Sequence, residues 1–206
     1  MNRFSILTLI FSTLLSAVSC KKKEPTPEPL EVKTYKNLYA PQTGGGSSGQ
    51  PIGGTFTKFS FAKGEIVTDD TWDIAFRGLT IIVNGGSKIG LNEETERTGQ
   101  AAVSMQIGTF EEINQVPSAS SFRQDGQNFY AIPTGSGNGW YSYNSQTFLI
   151  TPIAGRVFVV KTTNGKYAKF EILSYYKDAP ANPNASSDLP RYYTFRYVYQ
   201  PNGTNF

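Results

Sequence analysis

The sequence contains no histidine, and its one cysteine is Cys20. Those two absences remove most catalytic chemistry. Ser-His-Asp and Cys-His arrangements need an imidazole. Zinc sites of the usual kind need a Cys/His ligand set that this chain does not have. An intrachain disulfide is excluded, so an oxidising compartment is met without one. Methionine is scarce too: besides Met1 there is only Met105. A calcium loop of the D-x-D-x-D-G type is missing. The Gly-rich stretch 44–54 lacks the lysine and the following helix of a phosphate-binding loop.

Carboxylates remain. Asp69-Asp70-Thr71-Trp72-Asp73 is the densest acidic cluster, and Glu93-Glu94-Thr95-Glu96 is the next. A glycosidase-type pair needs a cleft and a set separation. The plainer expectation is that Asp69 and Asp70 end a strand and that Asp73 accepts hydrogen bonds near Trp72. The chain is therefore expected not to be an enzyme. The net charge is +3, but Arg3, Lys21, Lys22, Lys23, Glu24 and Glu28 lie in the first thirty residues. The remainder carries 15 basic and 14 acidic residues with no basic stripe, which argues against a nucleic-acid partner.

The N-terminus carries an export pattern. Asn2 and Arg3 precede a mostly apolar segment, Phe4–Val18, that is short for a membrane span of ~20 residues. Ala17-Val18-Ser19-Cys20 then resembles a bacterial lipobox, with Ala17 where Leu is usual. Residues 1–19 are read as a lipoprotein signal peptide and Cys20 as the lipidated first residue of the mature chain. The alternative is ordinary cleavage nearby, with Cys20 discarded or left free. Residues 20–30 are charged and Pro-rich. Proline removes donors and fixes φ, so they are expected to form an extended tether. Acyl chains on Cys20 would anchor the protein at ~0.8 kcal/mol per buried methylene.

Residues 31–206 read as one all-β domain. Aromatic residues are 14% of the chain, and 20 Gly and 12 Pro supply turns. Strands are expected at 31–40 (an edge), 55–62, 65–67, 72–77, 80–83, 101–107, 128–132, 140–143, 148–151, 156–162, 166–175 and 191–200, the last closing the sheet. Residues 41–54 and 178–190 read as loops, and 92–100 as a polar surface loop. One short helix is expected within 109–119, ending before Pro117. Asn164-Gly165 between alternating runs predicts a type I′ hairpin turn. Even strand spacing without alternating helices favours a mostly antiparallel β-sandwich or open barrel.

Several of these segments also resemble the HmuY family of haem-binding lipoproteins from Bacteroidetes. They are Trp72-Asp73-Ile74-Ala75-Phe76-Arg77-Gly78, Ile81-Ile82-Val83-Asn84-Gly85-Gly86-Ser87, Gly155-Arg156-Val157-Phe158-Val159-Val160-Lys161, Asn164-Gly165-Lys166-Tyr167-Ala168-Lys169-Phe170 and Tyr193-Thr194-Phe195-Arg196-Tyr197-Val198-Tyr199. Their order is the family's. The resemblance implies an antiparallel β-sandwich displayed on the outer membrane. It also implies haem as cargo, delivered to a TonB-dependent outer-membrane receptor. The family's best-known member holds haem iron with two histidines, and neither exists here. One of those positions falls within Gly139–Ser145, near Asn144 or Ser145. The other falls between Asp125 and Gly139.

Haem iron is held by His, Met, Cys or Tyr. The candidate ligands left are Met105 with Tyr141 or Tyr143. In the competing reading Met105 packs in the core and the tyrosines fill a sheet face. Haem could then be held in an aromatic cleft without strong ligation. Alternatively, the scaffold serves as a non-haem module for another ligand or a partner protein.

Overall fold

The computed structural model describes residues 29–206. The signal peptide, Cys20 and most of the tether lie outside the described residues. Eleven strands run in the order β1 (Lys33–Tyr39), β2 (Thr57–Ser60), β3 (Glu65–Ile66), β4 (Ile74–Arg77), β5 (Thr80–Val83), β6 (Ala102–Ile107), β7 (Tyr141–Tyr143), β8 (Ile150–Pro152), β9 (Arg156–Lys161), β10 (Tyr167–Tyr176) and β11 (Pro190–Gln200). They form a five-stranded sheet in the order β1-β11-β10-β9-β6, a four-stranded sheet in the order β3-β2-β4-β5, and the β7-β8 hairpin. Every strand pairing is antiparallel. The fold is all-β.

Period-two alternation decides which side chains meet. Phe59, Ile74, Phe76, Ile81 and Val83 of the small sheet share one cluster with Val103, Phe158, Val160, Phe170, Phe195 and Tyr197 of the large sheet. The sheets therefore pack face to face as a sandwich. Phe59 makes edge-on contacts with Tyr35 and Phe195 at 4.9 and 5.1 Å, the geometry the ring quadrupoles favour. The small sheet is also covered on its outer face. Ala75 and Ile82 point there and pack with Phe56, Val67, Trp72 and Ile89. On the outer face of the large sheet, Val157 and Val198 pack with Phe110. All three clusters lie between Leu30 and Phe206, so the described segment contains its own core.

Two buried carboxylates tie these layers. One oxygen of Asp73 accepts the Phe61 N–H (2.8 Å) and the other accepts the Thr163 N–H (2.7 Å). The Thr163 hydroxyl donates to the Trp72 carbonyl at 2.7 Å. The small sheet is thereby fastened to the β9-β10 turn of the large one. Asp125 accepts the N–H groups of Val83 and Ala131, both at 2.9 Å, and pairs with Arg97 at 2.9 Å. Arg97 also pairs with Glu94 at 2.6 Å, and all three side chains are 1% exposed or less. Burial raises the Asp73 and Asp125 carboxyls above the ordinary value, against the pull of the N–H donors. Burial would raise Glu94 too. The N–H groups of Ile89, Leu91 and Gly90, with Arg97, leave it lowered.

The Asn84-Gly85-Gly86 turn is a packing device. Asn84 is fully buried, and its amide donates to the Trp72 carbonyl while accepting the Thr98 and Gly99 N–H groups. A Cβ on Gly85 would lie 2.0 Å from the Ala101 carbonyl oxygen, and one on Gly86 2.0 Å from that of Asp125. Only glycine permits backbone to approach backbone that closely.

The structure corrects five expectations. No helix forms before Pro117 in 109–119, and the one helical element nearby is a short 3-10 turn at Ala119–Ser121. Thr109 and Glu112 do exchange the two bonds of a capping box, and Ile113 N–H closes one turn on Thr109. The chain is then drawn off: Val116 N–H bonds Thr204, and Phe206 N–H bonds Asn114. Residues 128–132 are a tight loop, because Asn128 has a φ of 57° and Ala131 is held by Asp125. Residues 92–100 are not a plain surface loop, since they supply Glu94 and Arg97 to the buried network. The 164–165 turn is not type I′. Gly165 has positive φ and Asn164 does not, and Gly165 N–H bonds Thr162. That is a three-residue loop with a left-handed glycine, in which Thr163 is free to meet Asp73. Finally, β11 lies inside the large sheet between β1 and β10 instead of closing it.

Removing one partner of a buried charged network leaves the others unpaired. Asp125→Ala should lower unfolding free energy in urea by ~3–5 kcal/mol. Glu65→Ala, on an exposed strand end, should change it by less than ~0.5 kcal/mol.

Candidate functional site

Met105 lies on β6, opposite Phe158 of β9, with Val103 opposite Val160 and Ile107 opposite Arg156. Alternation puts Val103, Met105 and Ile107 on the sandwich-facing side, together with Phe158 and Arg156. This side runs out of the core along the strand. Val103 is buried, Met105 is partly buried against the core, and Ile107 is 80% exposed. The inner face of the large sheet thus overhangs the sandwich at this rim.

Arg156 spans the rim. Its Nη1 lies 3.8 Å from the Met105 sulfur and its Nη2 lies 3.4 Å from the Gly137 carbonyl oxygen. Gly137 N–H in turn donates to the Tyr141 carbonyl at 2.9 Å. The Ser136 hydroxyl accepts the Tyr143 N–H at 2.8 Å. The 133–139 loop therefore laces β7 to the margin of β6 and β9. Gly139 fixes that loop, since a Cβ there would lie 2.0 Å from the Pro133 carbonyl oxygen.

The two candidate tyrosines part company. Tyr141 is 7% exposed and packs against Trp140 at 4.9 Å. It joins a core cluster with Tyr175, Tyr176 and Tyr193. Trp140 Nε1 donates to the Leu79 carbonyl at 3.0 Å, and the Tyr193 hydroxyl donates to that of Gly78 at 2.8 Å. Burial pushes the Tyr175 and Tyr193 hydroxyls up, so these phenols stay protonated. Tyr143, by contrast, is 45% exposed, and Phe148 in the β7-β8 loop is 67% exposed. The structure brings Met105 and the β7 backbone to one rim. It buries Tyr141 in the core and leaves Tyr143, further along the strand, exposed.

The acidic clusters do not converge. Asp69 accepts from Thr71 in its own turn and from Lys63 of the β2-β3 turn, Asp73 is buried, and Glu94 belongs to the Arg97 network. Among the described residues no group of three or more His, Cys, Asp or Glu side chains could hold a metal ion. Sequence reasoning missed Arg156 and Ile107 at the rim. Arg156 opens an apolar run, which marks it as a strand start. Its place beside Met105 follows from a β6-β9 pairing that joins segments some fifty residues apart.

The family model of the HmuY protein matches residues 54–197. The chain belongs to the HmuY family. The match takes in the Trp72-Asp73 clamp, the Asn84-Gly85-Gly86 turn, the whole rim and most of β11. No curated protein matches the chain. Among solved structures it is similar to a protein described as an HmuY analog, in its apo form, from Tannerella forsythia. That likeness has 14% identity over 84% of this chain and 97% of the other, with a TM-score of 0.45. It is also similar to a candidate HmuY-like heme binding protein from Bacteroides vulgatus, at 16% identity over 71% and 86%, TM-score 0.43. A candidate lipoprotein from Bacteroides fragilis gives 14% identity over 71% and 83%, TM-score 0.45.

Their burial separates the tyrosines experimentally. Tyr141→Ala should cost ~3–5 kcal/mol in urea unfolding, as for a buried aromatic. Tyr143→Ala should cost less than ~0.5 kcal/mol.

Proposed function

We propose that this HmuY-family chain is a lipid-anchored surface protein that binds haem or a related porphyrin and passes it to an outer-membrane receptor. Family membership over residues 54–197 carries this reading. The rim supports it by offering exposed apolar side chains beside a few polar groups. Without histidine, contact with iron falls to the Met105 thioether. That sulfur is within reach at the rim, whereas Tyr141 would first have to leave the core. Tyr143 and Phe148 offer exposed rings as a flank. The tether and Cys20 would hold the domain at the membrane. No helix among the described residues is long and apolar enough to cross one.

A second reading keeps the scaffold and replaces the cargo. It is favoured by the guanidinium of Arg156 lying against the Met105 sulfur, and by the burial of Tyr141. On that reading the rim takes a non-haem ligand or a partner protein.

Haemin added to residues 29–206 at micromolar concentration should give a shifted Soret band that is weakened in Met105→Ala. A flat difference spectrum would remove the haem reading and leave the second one. For the anchor, Cys20→Ser should move the expressed protein from the membrane fraction to the soluble fraction. Unchanged membrane fractionation would sink the lipidation proposal.

A further inference from the structure

The charge at the rim is unbalanced. Among the described residues no carboxylate lies within ion-pair distance of Arg156; Arg77, Arg123 and Arg191 likewise have none, but Arg156 alone of the four lies against Met105. Its two contacts are weak ones, to a poorly accepting thioether at 3.8 Å and to a carbonyl oxygen at the long distance of 3.4 Å. A guanidinium presents a planar fork of donors that fits a carboxylate with two parallel bonds. Here the fork is half-buried at the edge of an apolar strip formed by Met105 and Ile107. The strip itself carries no charge, because its side chains are a thioether and an alkyl group.

We propose that Arg156 is the anion-recognising residue of the rim. The ligand it selects is then an apolar body bearing a carboxylate, with the carboxylate on the guanidinium and the body over Met105 and Ile107. The assignment rests on the rim being the ligand site. It adds what the family reading leaves open: selection by the carboxylate and not by the metal. On binding, Arg156 exchanges its two weak contacts for the carboxylate, which frees the Met105 sulfur to meet the ligand.

Metal-free protoporphyrin IX, which bears two carboxylates, and its dimethyl ester, which bears none, separate charge from shape. Each would be titrated by fluorescence into residues 29–206, alongside haemin by absorbance. The acid should bind at least about tenfold more tightly than the ester, the equivalent of ~1.4 kcal/mol. Arg156→Gln should bring the acid down to the ester's affinity and leave the ester unchanged. Arg156→Lys should keep part of the preference. An unchanged urea midpoint in both variants shows that the fold is intact. Equal binding of acid and ester, or a preference that survives in Arg156→Gln, would overturn the assignment. If haemin still shifts its Soret band in that case, the haem reading stands without it. If no porphyrin binds at all, both fall together.

Discussion

The rest of the structure hangs on the Asp73 carboxylate. It is 1% exposed, yet it serves two layers at once. One oxygen holds the end of the small sheet at Phe61, and the other holds the β9-β10 turn at Thr163. A buried carboxylate is costly unless its lone pairs are filled, so this group tolerates little displacement of either layer. The adjacent Trp72 extends the clamp through its carbonyl, which receives both Thr163 and Asn84. The Asp125–Arg97–Glu94 network repeats the principle on the outer side of the small sheet. Of the acidic residues that stood out in the sequence, Asp73 and Glu94 are thereby explained as fasteners, while Asp69, Asp70 and Glu96 stay at the surface.

That clamp gives the sandwich two unlike ends. Thr163 follows the end of β9, and Arg156 begins it. At ~3.3 Å per residue the two lie roughly 20 Å apart along the strand. The pinned end has its polar groups satisfied inside. At the far end Ile107 is exposed and Arg156 reaches the 133–139 loop. The pinned end also borders a cavity lined by Leu30, Phe61, Tyr197 and Phe206, so the case for the rim as the ligand surface rests on its exposed side chains and not on depth.

Much of this was legible in the sequence. Trp72-Asp73, Asn84-Gly85-Gly86 and Asn164-Gly165 marked real turns and strand ends, and alternation placed most strands within a residue or two. The misreadings share a physical cause, which is tertiary competition with local preference. Thr109 and Glu112 form a genuine capping box, but one turn cannot propagate when Val116 and Phe206 are recruited into pairing with each other's segments. Asn164-Gly165 favours type I′ locally, yet Asp73 draws Thr163 into a longer loop. Residues 92–100 look solvated because their charges are visible and their partner, Asp125, is distant in sequence. The candidate site's residues could be named from the sequence, but their arrangement could not. Met105 and Tyr143 were picked out by elimination, Tyr141 proved to be core, and Arg156 needed the non-local β6-β9 register to be seen at all.

The central claim is that ligand binds at the open rim and leaves the pinned end alone. Backbone alternation aims the N–H groups of Met105 and Ile107 toward the free edge of β6, as it does for Val103, which bonds Arg123 there. Amide hydrogen exchange on residues 29–206, with and without haemin, reads that edge directly. The account predicts slowed exchange at residues 105–107 and 135–143 on haemin binding, with no change around Phe61 and Thr163. Slowing confined to the pinned end would contradict it.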